Sequence, residues 1–295
     1  MASTRTALIT GGTAGIGLHS AIGVAKTGAT VVITGRNEAR GAAAVETIQS
    51  AVSDAEVVFI QSDLSSLAGV DQLAAAVSSR FDRLDILVNN AGYFGDAMRH
   101  SDDGVELHFA VNVLAPWRLT HGLLPLLKDG EDARVVNVSG GDKPAEIDPD
   151  NLQAEKGFRG LMTYTHSKSV LEAMSVFLAA ELEPHGVTVN VVFPGRASTA
   201  MTQSLSPQAL PGPMKLMYPF FKLFFREDGG KSAEKAARST IWAATSDDAK
   251  GVTAAYFDTN SRRQSLHPSA HNPSVHARIY AVMEGALNRG GGEAR

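Results

Sequence analysis

Cysteine is absent from the 295-residue chain, which excludes disulfide bonds, thiolate metal sites and a thiol nucleophile. Aromatic residues make up only 6% of the sequence, and no apolar run approaches the ~20 residues that span a bilayer. The formal net charge is −4 and no long basic run occurs, so nothing electrostatic favours nucleic-acid binding. We therefore expect a cytoplasmic protein with no nucleic-acid partner and no transmembrane segment.

Short apolar segments alternate with longer segments of helical periodicity along most of the chain. The apolar segments are nearly continuous, which is typical of strands covered on both sheet faces. Strand followed by helix, repeated, predicts an α/β fold with a doubly wound, seven-stranded parallel sheet and helices on both faces. Ligands bind such sheets at the carboxyl ends of the strands. The seven predicted strands are residues 7–10, 30–34, 57–61, 86–88, 135–138, 188–193 and 254–257.

The first predicted strand leads into a glycine-rich turn and then a helix. Glycines let the backbone approach a ligand closely, and a helix N-terminus offers free N–H groups to an anion. The turn predicts a pyrophosphate site, with a plain strand-to-helix connection as the alternative because the spacing is not G-x-G-x-x-G. The residues assigned to this site are Gly11, Thr13, Ala14, Gly15, Ile16 and Gly17.

The end of the second strand indicates which dinucleotide is preferred. Folds that prefer NAD usually place Asp or Glu there to bind the ribose 2′-hydroxyl. This chain has Arg36 and Asn37 instead, and a guanidinium pairs well with a 2′-phosphate. NADP(H) is therefore favoured and NAD(H) is the alternative, unless Arg36 is simply a solvated surface arginine.

Two further strand ends carry candidate cofactor contacts. Asp63, followed by Leu64, can accept a hydrogen bond from the adenine amine; alternatively, Asp63 or Ser65 caps a helix. The small residues of Asn90-Ala91-Gly92 permit close approach of a cofactor, and the Asn90 amide can bind backbone or ribose. A plain turn is the alternative for this second segment.

Tyr164 and Lys168 are four residues apart in a helical segment and share one helix face. Reduction of a carbonyl needs a proton for the oxygen, and a phenol with a pKa near ~10 can supply it. A nearby ammonium favours the phenolate and lowers that pKa, so the pair predicts a proton-transfer centre. Lys168 can also hold the nicotinamide ribose hydroxyls.

Two polar residues accompany this pair. Asn112 interrupts an otherwise apolar helix, where an amide needs partners. We expect it to join a water relay to Lys168, with a helix-surface or helix-bending amide as the alternative. Ser139 follows the fifth strand, and its hydroxyl is predicted to bind the substrate oxygen unless it is an ordinary turn serine.

Together these motifs resemble the short-chain dehydrogenase/reductase family over residues 6–258, and within it the retinol-dehydrogenase-like branch. The resemblance implies a single-domain Rossmann fold. It implies that Tyr164 is the acid/base and Lys168 its activator. Ser139 would then position the substrate, and Asn112 would serve a proton relay. Contacts to the nicotinamide side are implied for Pro194, Gly195 and Thr199.

The chain departs from the family pattern after the fifth strand. The family usually has two consecutive small hydroxyl residues there, and the second is the catalytic serine. Here the strand is followed by Ser139 and Gly140. Alignment by the strand places the catalytic position on Gly140, whereas counting back from Tyr164 favours Ser139. We predict Ser139 and keep Gly140 as the alternative.

Residues 204–230 break the alternation of strands and helices and are rich in Met and Phe. They predict an apolar lid, within residues 200–230, over a bulky and largely apolar substrate of the kind found in secondary metabolism. Basic residues within this stretch also permit peripheral membrane contact, and a helix packed on the core is the alternative. Residues 1–260 then form one dinucleotide-binding and catalytic domain, and residues 261–295 form a C-terminal tail with no metal site.

The sequence thus predicts an NADP(H)-dependent oxidoreductase that interconverts a carbonyl and an alcohol on a small molecule. Two alternatives stay open: a non-redox enzyme of the same fold that catalyses elimination or isomerisation, and a nucleotide-sensing binding protein. The resemblance further implies a homodimer or homotetramer built partly on the helices around Ala115 and Val170.

Overall fold

A computed structural model describes residues 4–140, 144–195 and 228–290, together with Ala197, Pro207 and Tyr218. Eight strands form one sheet in the order β3-β2-β1-β4-β5-β6-β7-β8. The first seven strands pair in parallel, and the eighth pairs antiparallel with the seventh. The order reverses between β1 and β4, and all seven parallel strands end at the same edge. The predicted α/β fold with a doubly wound sheet is confirmed.

The strands agree closely with the predicted segments, with one addition at the sheet edge. They are β1 (Thr6–Thr10), β2 (Thr30–Gly35), β3 (Val57–Gln61), β4 (Ile86–Asn89), β5 (Arg134–Val138), β6 (Thr188–Val192), β7 (Tyr256–Phe257) and β8 (Arg263–Gln264). The described helices are α1 (Gly15–Ala25), α2 (Glu38–Ala51), α3 (Leu67–Ser78), α4 (Leu107–Phe109), α5 (Ala115–Gly122), α6 (Leu124–Lys128), α7 (Gly160–Leu182), α8 (Lys231–Thr245) and α9 (Pro273–Gly290).

Each face of the sheet carries its own buried apolar cluster. Alternate strand residues such as Leu8 and Val135 pack with α3, α5, α7 and α9. Their neighbours, such as Ile9 and Val136, pack with α1, α2 and α8 on the opposite face. Because successive side chains of a strand point to opposite faces, a nearly continuous apolar strand supplies both clusters. Within the described ranges, no helix combines the length and the apolar character needed to cross a bilayer.

The segment after residue 260 is folded onto the domain. Its two-residue strand β8 extends the sheet, and α9 buries Val275, Ile279 and Met283 in the same cluster as α7. The ring of Tyr280 on α9 contacts Trp117 of α5, at 6.0 Å between centroids, and Phe177 of α7, at 6.5 Å. α9 therefore lies across the two helices that we expected to build an oligomer. Most of the predicted lid, residues 200–230, lies outside the described residues.

Candidate active site

The glycine-rich turn brings α1 into direct contact with the end of β1. Gly11 has a φ of +64°, a conformation that favours glycine. A Cβ on Gly17 would collide with the Gly11 carbonyl and the Asn90 amide, so only glycine lets α1 pack this closely. All the turn residues assigned from the sequence are described: Gly11, Thr13, Ala14, Gly15, Ile16 and Gly17.

The N-terminus of α1 is suited to an anion. Ala14 precedes the helix in an extended conformation and supplies no side-chain cap, and the first turn holds no acidic residue. By contrast, α2, α3 and α4 are each capped by the side chain before them. Backbone N–H groups at an uncapped helix start, together with the helix dipole, favour a bound phosphate. The turn therefore fits the pyrophosphate of a dinucleotide.

Asn90 holds the turn from the neighbouring strand. Its Nδ2 donates to the carbonyls of Thr10, at 2.9 Å, and Gly11, at 3.3 Å. The backbone N–H groups of Asn90 and Ala91 both donate to Thr10 Oγ1 at 3.0 Å. Gly92 follows, half-buried at the same edge. Of the two partners considered for the Asn90 amide, backbone or ribose, the structure shows backbone.

The end of β2 lies beside the turn. A Cβ on Gly35 would come within 2.8 Å of Thr13 Cγ2, so Thr13 packs directly over this strand end. Arg36 and Asn37 follow, and both are exposed. Asn37 caps α2 with its side chain, whereas the Arg36 carbonyl accepts a hydrogen bond from Gln61 Nε2 at 2.9 Å. The backbone is thus fixed at the point where the Arg36 side chain reaches solvent.

The polar residues after β3 have different hydrogen-bond partners. The N-cap of α3 is Ser66, whose Oγ accepts from the Gly69 N–H at 3.2 Å. Asp63 is exposed, and its Oδ1 accepts from the Ser65 N–H at 3.0 Å. Leu64 packs against the cluster that includes α3. Neither Asp63 nor Ser65 caps the helix, and the adenine contact of Asp63 stays a prediction.

Tyr164 and Lys168 meet the end of β5 at Gly140. A Cβ on Gly140 would lie 2.3 Å from Tyr164 Oη and 3.5 Å from Lys168 Cγ, so both side chains border this glycine. Lys168 is buried, and its Nζ donates to the carbonyl of Val138 at 3.0 Å. The predicted pair is therefore brought to the carboxyl edge of the sheet, where ligands bind.

Ser139 has turned away from that position. It is only 4% exposed, and its Oγ donates to Oε1 of Glu172 on α7 at 2.6 Å. This departs from the expectation that its hydroxyl binds the substrate oxygen. The residue that faces the Tyr164 hydroxyl is Gly140, the alternative given by aligning the strand.

Burial controls the protonation of these groups. It raises the pKa of Tyr164 to about 12. It lowers the pKa of Lys168 to about 8, an effect that the negative charge of Glu172 opposes. We expected the ammonium to lower the pKa of Tyr164, and the direction is the opposite because burial in a low-dielectric site disfavours the phenolate.

Asn112 lies in a single π-helical turn, Ala110–Leu114, between α4 and α5. Its side chain is fully buried and exchanges two hydrogen bonds with the backbone of Tyr93, at 2.8 and 3.0 Å. Its Nδ2 also donates to Ser167 Oγ at 2.9 Å. The widened turn thus joins the loop after β4 to α7, the helix that carries Tyr164.

An aromatic cluster surrounds Tyr164 on its outer side. His108 is fully buried, and its ring lies 5.0 to 6.5 Å from the rings of four neighbours. Its Nδ1 is 2.7 Å from Oε1 of the buried Glu106, and its Nε2 accepts from the Gly95 N–H. The other members of the cluster are Tyr93, Phe94, Phe158 and Tyr164. Phe94 and His108 contact the Tyr164 ring, and Tyr93 and Phe158 contact His108, so these four rings form an aromatic wall beside the phenol.

The residues expected on the nicotinamide side are described only in part. Pro194 is buried and Gly195 has a φ of +78°, directly after β6 at the edge that carries the turn and Tyr164. Thr199 lies outside the described residues.

Sequence reasoning missed Glu172 and His108. Glu172 follows Lys168 by one helical turn, so it continues the face that already holds Tyr164 and Lys168. A carboxylate on the apolar face of a long helix is the feature of the sequence that could have indicated a functional role for Glu172. His108 precedes Asn112 by four residues, and nothing in the sequence alone placed it against an aromatic group.

Comparison with known proteins supports the family resemblance. The family described as short chain dehydrogenase matches residues 5–210. Retinol dehydrogenase 14 of Mus musculus is 30% identical, over 95% of this chain and 85% of its own length. Polyprenol dehydrogenase of Danio rerio is 32% identical, over 88% of this chain and 80% of its own length. The predicted retinol-dehydrogenase-like branch is confirmed.

Solved structures agree. The active-site complex of Pseudomonas aeruginosa RhlG with NADP is 29% identical, with a TM-score of 0.64 over 87% of this chain and 95% of that chain. A crystal structure of an uncharacterized protein from Mycobacterium paratuberculosis shares the fold at 24% identity, with a TM-score of 0.72 over 97% of this chain and 94% of that chain. The chain therefore belongs to the short chain dehydrogenase family and is an NAD(P)-dependent oxidoreductase.

Proposed function

We propose that this enzyme interconverts a carbonyl and an alcohol on a bulky, largely apolar molecule with NADP(H), and that Tyr164 is the acid/base. The observation that carries the proposal is the meeting of Tyr164 Oη and Lys168 beside Gly140. That meeting point lies at the same sheet edge as the glycine-rich turn. A nicotinamide dinucleotide supplies or accepts the hydride when it is bound, and the chain supplies the proton.

The protonation state of Tyr164 suits the reductive direction. Because burial raises the pKa of Tyr164 to about 12, the phenol is protonated at neutral pH and ready to donate to a carbonyl oxygen. The Lys168 side chain borders the same glycine, and a positive charge there would favour the phenolate that remains after donation. Gly140 has no hydroxyl to donate to the substrate oxygen. Tyr164 therefore contributes a larger share of the stabilisation of that oxygen than it would beside a serine at position 140.

Arg36 supports NADP(H) as the preferred cofactor. It is exposed where β2 ends, beside the turn that fits the pyrophosphate. A guanidinium there can form two parallel hydrogen bonds with a 2′-phosphate. A ribose 2′-hydroxyl cannot form this bidentate pair. NAD(H) stays the alternative.

The aromatic wall supports an apolar substrate. Phe94 packs edge-on against Tyr164, with 5.5 Å between ring centroids, and is half-buried. Met162 lies two residues before Tyr164 and is 53% exposed. The names of the relatives, retinol dehydrogenase and polyprenol dehydrogenase, refer to long apolar alcohols. We propose a substrate of that general character, with the reacting carbon between Phe94 and Gly140.

Replacement of Tyr164 by phenylalanine tests the acid/base role. The variant keeps the ring and its packing, so the affinity for NADPH should stay within about twofold, while turnover falls roughly 100-fold or more because the proton donor is lost. Tyr280→Phe is the matched control, since Tyr280 lies on α9 and is 44% exposed. Reduction of long-chain aldehydes is followed by NADPH absorbance. Unchanged turnover in Tyr164→Phe rejects the role, and activity confined to small polar sugars rejects the substrate class.

A homodimer or homotetramer stays a prediction. α9 already contacts Trp117 of α5 and Phe177 of α7. A subunit interface on this side of the molecule would therefore include the outer surface of α9; otherwise it would use another face. Light scattering of the purified chain measures the mass directly.

A further inference from the structure

A buried carboxylate on α7 has no part in the proton transfer proposed above. Glu172 is 3% exposed, as is Lys168 one helical turn earlier. A charged side chain that is removed from water usually has a compensating partner, since desolvating an ion costs several kcal/mol. For Glu172 the structure shows two kinds of compensation: the 2.6 Å hydrogen bond from Ser139 Oγ and the nearby positive charge of Lys168.

Two hydrogen bonds join one face of α7 to Val138, the last residue of β5, and to Ser139 directly after it. Lys168 Nζ donates to the Val138 carbonyl at 3.0 Å. Ser139 Oγ donates to Glu172 Oε1 at 2.6 Å. Lys168 and Glu172 therefore bind the two residues that precede Gly140. Gly140 is the residue that faces the Tyr164 hydroxyl.

We propose that Glu172 is a positioning residue: its carboxylate is the buried counter-ion of Lys168, and through Ser139 it fixes the strand end beside Tyr164. The proposal rests on the proposed function for its effect on turnover. Its effect on Lys168 can be measured without any cofactor or substrate.

The electrostatics support this role. Burial lowers the pKa of Lys168 to about 8, and the charge of Glu172 opposes that fall. Burial raises the pKa of Glu172 to about 7, and the Ser139 hydrogen bond and Lys168 oppose that rise. Among the described residues, Tyr256 on β7 also interacts with Glu172, and the raised pKa of Tyr256 stems first from burial, then from Glu172 and Asp258.

Glu172→Gln is the decisive variant, because the amide keeps an acceptor for Ser139 and removes only the charge. Loss of a negative charge near an ammonium favours the neutral amine. The titration midpoint of Lys168 should therefore fall by ~1 pH unit. The midpoint is read from the 13Cε resonance of 13C-labelled lysine in the full chain, assigned by its disappearance in Lys168→Arg.

Two controls separate charge from fold. Glu183→Gln removes an exposed carboxylate just after α7, and the Lys168 midpoint should not move. Ser139→Ala removes the hydrogen bond that opposes the rise in the pKa of Glu172 and leaves the carboxyl group in place. The Lys168 midpoint should therefore fall, but by less than in Glu172→Gln, while turnover falls through a displaced strand end. An unchanged midpoint in Glu172→Gln, or an equal shift in Glu183→Gln, overturns the counter-ion role.

Turnover links the charge to catalysis. In the holoenzyme, the pH above which turnover declines should move down in Glu172→Gln by the same amount as the Lys168 midpoint. If Glu172→Gln does not fold, Glu172→Asp tests the same claim. It keeps the charge and shortens the side chain, so the Lys168 midpoint should fall by well under 1 pH unit; a fall of ~1 pH unit in Glu172→Asp contradicts the proposal. A wild-type enzyme without carbonyl turnover rejects the proposed function, while the lysine titration still decides the role of Glu172.

Discussion

Replacement of Gly140 by alanine should lower turnover roughly 100-fold and leave the fold intact. A Cβ at this position lies 2.3 Å from Tyr164 Oη, whereas ordinary contact begins at 3.4 Å. The hydroxyl must therefore retreat by about 1 Å, and a misplacement of that size in a catalytic group costs about 100-fold in rate. Because Oη is the distal end of a side chain, the retreat needs no backbone movement, and the free energy of unfolding should change by less than ~1 kcal/mol.

The assay measures kcat and KM for a long-chain aldehyde, the affinity for NADPH by fluorescence, and the free energy of unfolding in urea. Gly285→Ala is the matched control. Gly285 lies in α9, and the nearest heavy atom to its added Cβ is 3.9 Å away. This control should keep wild-type turnover and gain stability from the better helix former. Wild-type kcat in Gly140→Ala would refute the placement of the reacting oxygen at Tyr164 beside Gly140.

Three further variants test the cofactor site and the support beneath it. Arg36→Asp should weaken NADPH binding roughly 10- to 100-fold and NADH binding far less, because a charge-assisted pair to phosphate is lost. Arg80→Asp, at a distant exposed arginine, is the control. Equal losses for the two cofactors, or the same loss in Arg80→Asp, count against the 2′-phosphate contact. Asn90→Ala leaves two turn carbonyls without their amide donor, so unfolding in urea should show a loss of about 1–3 kcal/mol together with weaker NADPH binding. Asp85→Ala removes a buried acceptor of two backbone N–H groups at 2.6 and 2.7 Å; it should cost about 3 kcal/mol in the same urea measurement and leave NADPH affinity unchanged, since Asp85 lies at the opposite edge of the sheet.

The parallel strands were predictable because their apolar composition alone specifies burial on both faces. β8 was not, since Arg263 and Gln264 are both polar and exposed. Its pairing is a tertiary event that leaves no hydrophobic pattern. α9 did leave a pattern: Val275, Ile279 and Met283 repeat every four residues, which is helical periodicity. The predicted C-terminal tail, residues 261–295, therefore contains a helix that this period indicates.

The positions of Tyr164 and Lys168 were predictable because helical spacing is rigid. Four residues along a helix fix their shared face whatever the surrounding fold does. Burial was harder to foresee, and it reverses the expected direction of the pKa of Tyr164. The sequence shows which charged residues lie close to Tyr164 along the chain. It does not show how deeply a side chain is buried, and burial is the cause of the raised pKa of Tyr164.

The choice between Ser139 and Gly140 depends on the two-residue period of a strand. Val135 packs in the cluster that contains α7, Asn137 Nδ2 donates to Ser175 Oγ of α7 at 2.8 Å, and Ser139 donates to Glu172 of the same helix. Every second side chain of β5 thus faces α7, and the alternation continues one residue past the strand. Counting back from Tyr164 crosses the segment between β5 and α7, whereas counting along β5 follows fixed geometry. A step of one residue therefore separates Gly140, the position that faces the Tyr164 hydroxyl, from Ser139, whose hydroxyl binds Glu172 one helical turn beyond Lys168.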